Sequence, residues 1–194
     1  MKKIILVGDS IRMGYEPVVK KKLDGRCEVW GPVENGGTSD NVIKNLDGWC
    51  IGRRADVIHV NCGLHDLKRA DDFSKNTTPL DEYERNVRRI LERLKKETGA
   101  RIIWAATTPV IDEWHLRVKK FARRQEDVLA YNAAAAAVAA SLGVEIDDLH
   151  SVIWTAGPEK CLQPDGVHMN PTGNELLAAA VAARVEAEIG RAHV

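Results

Sequence analysis

The feature that most constrains this chain is an alternation. Short apolar runs at Lys3–Val7, Cys27–Trp30, Val57–Cys62, Arg101–Ala106 and Val144–Ile146 are separated by longer stretches with helical spacing. Apolar runs of this length, bounded by turn residues, read as buried strands. Tyr83–Glu97 sets Tyr83, Val87, Ile90, Leu91 and Leu94 along one helical face. Thr78, Pro79 and Asp81 supply its start, with proline at the first helical position. Leu129–Leu142 carries the run Ala133–Ala137, and alanine is the best helix former. Thr172-Gly173-Asn174-Glu175 reads as a capping box that opens a last helix running to about Ile189. Strands that alternate with helices predict βαβ units, hence a parallel sheet with helices on both faces. Ligands bind such sheets at the carboxyl ends of the strands, near the switch in strand order. The chain shows no repeat and no linker, so residues 1–194 are expected to form a single domain.

Composition narrows the class of function. A 194-residue chain with 44% apolar and 29% charged residues can bury a real core. Its 28 Lys and Arg balance its 28 Asp and Glu, which gives no pull toward nucleic acid or an anionic membrane. After Met1-Lys2-Lys3 only four strongly apolar residues precede Gly8, too short a core for a signal peptide. No stretch approaches a membrane span. The expected location is cytoplasmic, unless a signal has been removed. Cys27, Cys50, Cys62 and Cys161 lack metal-ligand spacing and are expected as reduced thiols. Without clustered Cys and His or a glycine-rich phosphate loop, neither metal nor organic cofactor is expected.

The first apolar run ends in Gly8-Asp9-Ser10. A serine there either caps the following helix or, given a base, acts as a nucleophile. The base candidate lies far along the chain, in Asp165-Gly166-Val167-His168. A carboxylate three residues before a histidine can hold one ring nitrogen while the other faces the serine. Asp-Gly is also an ordinary turn signal. His59 lies inside the third strand and reads as a packing residue. Asp9 reads as a structural acceptor at a helix start.

Four short blocks together resemble the SGNH hydrolases, the subgroup of GDSL-type esterases. They are Gly8-Asp9-Ser10, Asn35-Gly36-Gly37-Thr38-Ser39, Gly63-Leu64-His65-Asp66 and Asp165-Gly166-Val167-His168, in the family's order across nearly the whole chain. The third departs from the family's Gly-x-Asn-Asp, with His65 in place of asparagine. The resemblance implies a three-layer, flavodoxin-like fold of about five parallel strands. It also implies a triad of Ser10, His168 and Asp165, working through an acyl-serine intermediate. For the oxyanion hole it implies the N–H groups of Ser10 and Gly36 and a side-chain donor at His65, with Gly37 and Asn61 as alternatives. A neutral imidazole can donate one N–H, and a neighbour such as Asp66 would fix its tautomer.

The implied function is hydrolysis of small O-acyl esters, including O-acetylated carbohydrates. Open alternatives are acyl transfer or thioester hydrolysis at the same site, and a non-catalytic carbohydrate-binding protein on a degraded hydrolase scaffold. The expected partner is a small-molecule ester. Thr107–Glu126 is long for a connection and mixes Trp114, His115 and Phe121 with Arg117, Lys119, Lys120, Arg123 and Arg124. It reads either as an amphipathic, solvated helix or as a sugar- or anion-binding segment. Trp114 and His115, with Arg12 just after the serine, are the substrate-binding candidates.

Overall fold

The computed structural model describes residues 1–70 and 73–190. Five strands form one parallel sheet in the order β2-β1-β3-β4-β5. They are β1 (Lys2–Val7), β2 (Cys27–Trp30), β3 (Val57–Val60), β4 (Arg101–Ala105) and β5 (Glu145–Asp147). Each lies within two residues of its apolar run. The helices are α1 (Ser10–Lys22), α2 (Ser39–Leu46), α3 (Leu80–Glu97), α4 (Asp112–Val118), α5 (Gln125–Ser141), α6 (Leu149–Ala156), α7 (Pro158–Cys161) and α8 (Pro171–Gly190). A π-helical turn, Asp47–Ile51, continues α2.

Helix α1 packs on α8, and α8 on α6; separately, α3 packs on α5 and on α2. The sheet is thus sandwiched between two helical layers, as its apolar strands require. Ile4–Val7 in β1 and all of β3 are buried. The strand order reverses at β1, which has β2 on one side and β3 on the other. The crevice past the carboxyl ends of β1 and β3 is therefore the natural site. Ser10 follows β1, and the segment with His65 follows β3.

Helix starts differ from expectation at three places. Pro79 is the N-cap of α3 rather than its first residue. Thr78 is held outside the helix, its N–H donating to the Asp66 carbonyl and its own carbonyl accepting from Tyr131 Oη. Helix α8 begins one residue before the expected capping box. Asn170 Oδ1 accepts the Gly173 N–H at 3.0 Å with Pro171 as first residue, a proline-first start that needs no Thr172 cap. Helix α5 begins at Gln125, four residues earlier than its alanine-rich stretch suggested. All four cysteines are free and buried, and burial pushes the Cys50 thiol up to about 12. No helix among the described residues is long and apolar enough to cross a membrane.

Candidate active site

Helix α1 begins where β1 ends, and Asp9 is its cap. The Asp9 carboxylate accepts the Ile11 N–H at 2.9 Å, a contribution of about 1 kcal/mol. Because Asp9 caps, the Ser10 side chain is left to point elsewhere. Ser10 Oγ lies 2.9 Å from His168 Nε2. His168 Nδ1 lies 2.5 Å from Asp165 Oδ2, and Asp165 Oδ1 accepts the backbone N–H groups of Val167 and His168 at 3.1 and 3.0 Å. A carboxylate oxygen only accepts, so Nδ1 carries the proton and Nε2 presents a lone pair to the serine. Burial raises the Asp165 pKa, but the bonds from His168 and Val167 outweigh it and hold the carboxyl below its usual range.

The turn between these two residues is built on Gly166, at φ +69. A β-carbon there would lie 2.5 Å from the Ile111 carbonyl oxygen and 2.9 Å from Trp114 Cβ. The Ile111 N–H donates to the Gly166 carbonyl at 2.8 Å. Helix α4 is thus clamped against the loop that carries Asp165 and His168. His115, only 1% exposed, donates from Nδ1 to the Asp165 carbonyl at 3.1 Å. It is a support of that loop rather than a surface for substrate, which corrects the expectation for His115. Trp114 is half-buried on the same helix, its Cβ against Gly166.

Arg12 is also corrected. It is 3% exposed, pairs with Glu16 in the same helix, and donates to the Glu34 carbonyl at 3.0 Å. Its charge is neutralised and its fork anchors the loop after β2, so it does not face a substrate.

The expected oxyanion donors divide. Ser10 is the first residue of α1, where an N–H has no intrahelical acceptor, and among the described residues none accepts it. The Gly36 N–H, in contrast, donates to the Gly8 carbonyl at 3.0 Å. A β-carbon at 36 would sit 2.7 Å from that same oxygen. Glycine is needed here for close approach of the two loops, and its donor is engaged. Of the alternatives, Gly37 N–H donates to Asn35 Oδ1 at 2.9 Å, and Asn61 Nδ2 gives one of its two N–H groups to the Ala105 carbonyl at 2.7 Å. His65 is partly exposed, and neither ring nitrogen has a partner among the described residues. Burial lowers its pKa most; Asp9 opposes this, while Arg123, Lys68 and His168 add to it. The ring is therefore neutral at neutral pH, with one N–H to give. Asp66 does not fix its tautomer: buried, it accepts the Ser39 N–H at 2.9 Å and the Ser39 hydroxyl at 2.6 Å, tying the second block to the third.

The segment after β4 departs from a solvated amphipathic helix. Helix α4 stops at Val118, and the chain bends at Lys120 and Phe121 before Ala122 pairs with Arg69 in an antiparallel bridge. This brings Phe121 and the buried Arg123 against residues 64–68. Arg123 Nε donates to the Leu64 carbonyl at 2.6 Å, and Lys68 Nζ lies 4.4 Å from the Phe121 ring centre. Lys68 carried no motif, and Arg123 was one of several basic residues in a run, so neither stood out in the sequence. No group of three or more metal-ligating side chains occurs among the described residues.

A model of the GDSL-like lipase/acylhydrolase family matches residues 6–176. Among curated proteins, the isoamyl acetate-hydrolyzing esterase 1 homolog of Mus musculus is 28% identical over 196 residues, covering 90% of this chain and 78% of that protein. The Homo sapiens homolog is 28% identical over 122 residues, and there the match spans about half of that protein (49%) and 59% of this chain. Among solved structures, a lipase/acylhydrolase from Enterococcus faecalis superposes with a TM-score of 0.80 at 22% identity, covering 96% of both chains. The acetyl xylan esterase AlAXEase gives 0.77 at 20% identity, over 94% of this chain and 99% of that one. Axe2, an acetylxylan esterase from Geobacillus stearothermophilus, gives 0.74 at 18%, over 98% and 95%.

Proposed function

The chain belongs to the GDSL-like lipase/acylhydrolase family, and we propose that it is a serine esterase that hydrolyses small O-acyl esters through an acyl-serine intermediate. The observation that carries this is the continuous line Asp165–His168–Ser10, with its 2.5 and 2.9 Å contacts. His168 Nε2 takes the hydroxyl proton as Ser10 Oγ attacks the ester carbonyl. The imidazolium is balanced by Asp165, then protonates the leaving alcohol. A water activated by the same nitrogen releases the acid. The Ser10 N–H and the His65 ring have no acceptor among the described residues, and they are assigned to the oxyanion.

Small acyl groups are favoured by the company the chain keeps: relatives named for isoamyl acetate and neighbours named for acetyl xylan. O-Acetylated carbohydrates are accordingly within the proposed substrate range. The buried free thiols accord with a reducing compartment. The test is labelling with a fluorophosphonate, with the adduct mapped by mass spectrometry, beside turnover of acetyl, butyryl and octanoyl esters. Rapid modification of Ser10 and fastest turnover of the acetyl ester are expected. An unreactive Ser10 in folded protein, with no ester turned over, would remove the proposal.

A further inference from the structure

Two arginines enter the region of the site from the segment after β3 and the segment after β4, and they are treated differently. Arg69 meets Asp127 fork to fork, at 2.7 and 2.8 Å. Arg123 is 7% exposed, yet no carboxylate among the described residues comes within 4 Å of it. Its single hydrogen bond among the described residues is from Nε to the Leu64 carbonyl. Nη1 and Nη2 have no acceptor among the described residues, and neither is sealed from solvent. A buried guanidinium is normally paired or fully hydrogen-bonded, because desolvating a charge is costly. Arg12, equally buried, follows that rule with Glu16 and two carbonyl oxygens.

The surroundings of Arg123 place it at the active site. Leu64, which it holds, directly precedes His65. The carboxylates whose fields reach it are Asp9 and Asp165, which flank the serine and orient the histidine. Burial lowers its pKa and those two acids oppose the shift. Lys68 Nζ and Arg123 Cζ lie 4.4 and 5.1 Å from the centre of the Phe121 ring, and Lys68 has no acidic partner among the described residues. The chain as a whole carries no net charge, so two cations on one aromatic ring, with no acidic partner among the described residues, are a local concentration of charge beside the triad.

We propose that the unpaired fork of Arg123, with Lys68 beside it, is an anion-recognition subsite, and that the preferred substrate is an ester carrying a carboxylate or comparable anionic group a few atoms from the scissile bond. Planar carboxylates match a guanidinium fork in two parallel hydrogen bonds, which fixes orientation as well as adding affinity. This proposal rests on the Ser10 site being the ester-binding site, and its test is separated from catalysis by measuring binding to Ser10→Ala.

Calorimetric titration of Ser10→Ala compares two matched pairs of esters. With the anion on the alcohol side the pair is 4-acetoxybenzoate and 4-acetoxybenzamide. With the anion on the acyl side it is monomethyl succinate and dimethyl succinate. In at least one pair the anionic member should bind about tenfold tighter or more, and the pair that shows it tells which side carries the anion. That preference should fall on adding 0.5 M salt, remain in part in the Arg123→Lys background, and vanish with Arg123→Gln. Lys68→Gln should weaken it less, and serves if Arg123→Gln does not fold. Equal binding within both pairs overturns the proposal, even where wild-type protein hydrolyses neutral esters. A preference that survives both Arg123→Gln and Lys68→Gln overturns it too. Loss of ester turnover in wild-type protein, with anion binding intact, overturns the esterase proposal alone.

Discussion

The molecule contains two His–Asp pairs of similar chemistry and opposite circumstance. His168 and Asp165 are three residues apart in one loop, with side chains 40% and 23% exposed and a serine hydroxyl on the far ring nitrogen. His59 and Asp147 come from β3 and the end of β5, 88 residues apart, with side chains 0% and 7% exposed and Nε2 to Oδ2 at 3.0 Å. In the second pair the remaining nitrogen, Nδ1, is buried with no partner among the described residues. The first pair can exchange a proton with the Ser10 hydroxyl and with water. The second is buried, with no hydroxyl or thiol bonded to it among the described residues, and its contribution is to tie β3 to the end of β5 across the intervening β4. Reactivity is set by what meets the second nitrogen and by access, and not by the pair itself.

The largest expected effect breaks the first pair's link to its nucleophile. Ser10→Ala and His168→Ala should each fold and lose about 10⁴-fold or more in ester turnover. Asp165→Asn should be milder or equal, because it disturbs orientation while leaving the nucleophile and base. Substantial turnover by pure Ser10→Ala protein would remove the serine from the chemistry.

The second pair should respond in the opposite currency. Asp147→Ala leaves His59 buried with neither nitrogen bonded, and should cost about 3 kcal/mol in stability by denaturant unfolding. Turnover per folded molecule should be little changed. A variant that melts like wild type but loses activity would show that the buried pair communicates with the site.

His65 sharpens the comparison from within the site. His65→Ala should lower turnover by roughly 10²–10³ while sparing reaction with a fluorophosphonate to a larger extent. His65→Asn should retain much of the activity, since an amide also donates. If Asn61→Ala is the damaging change and His65→Ala is silent, the donor comes from the end of β3 instead.

The smallest effect is on pH. Burial holds the His115 pKa below its ordinary value of 6.5, against the pull of the Asp165 carbonyl. As pH falls through 6.5 the unfolded chain takes up this proton before the folded one does, so stability is full above 6.5 and declines below it, toward the lower folded value. His65 and His150, also lowered chiefly by burial, act with the same sign. His115→Gln should therefore flatten part of the drop in melting temperature between about pH 7 and 5.5. An unchanged slope would mean that His115 is accessible to protons in the folded state.

The sheet was legible because buried parallel strands are continuous apolar runs, and each of the five could be read without its neighbours. The Asp165–His168 pairing was legible for a related reason: three residues of spacing bring the two side chains together within a single loop. Helix starts were less so. Thr78 looks like a cap until Asp66 and Tyr131, distant in sequence, pull it out of the helix. Arg12 looks exposed beside Ser10 until Glu16 and the loop after β2 close over it.

By itself, then, the sequence determined what depends on neighbours along the chain: the strands, the Asp9 cap that leaves the Ser10 side chain to point elsewhere, and the histidine held by an acid three residues away. Only the tertiary structure decided which polar groups remain unspent. Gly36 gives its N–H to Gly8, Asn61 gives one amide N–H to Ala105, and Asp66 is taken by Ser39, while His65 and the fork of Arg123 have no partner among the described residues. A donor's availability depends on which acceptor lies within about 3 Å in space, and those acceptors are brought there by segments dozens of residues away.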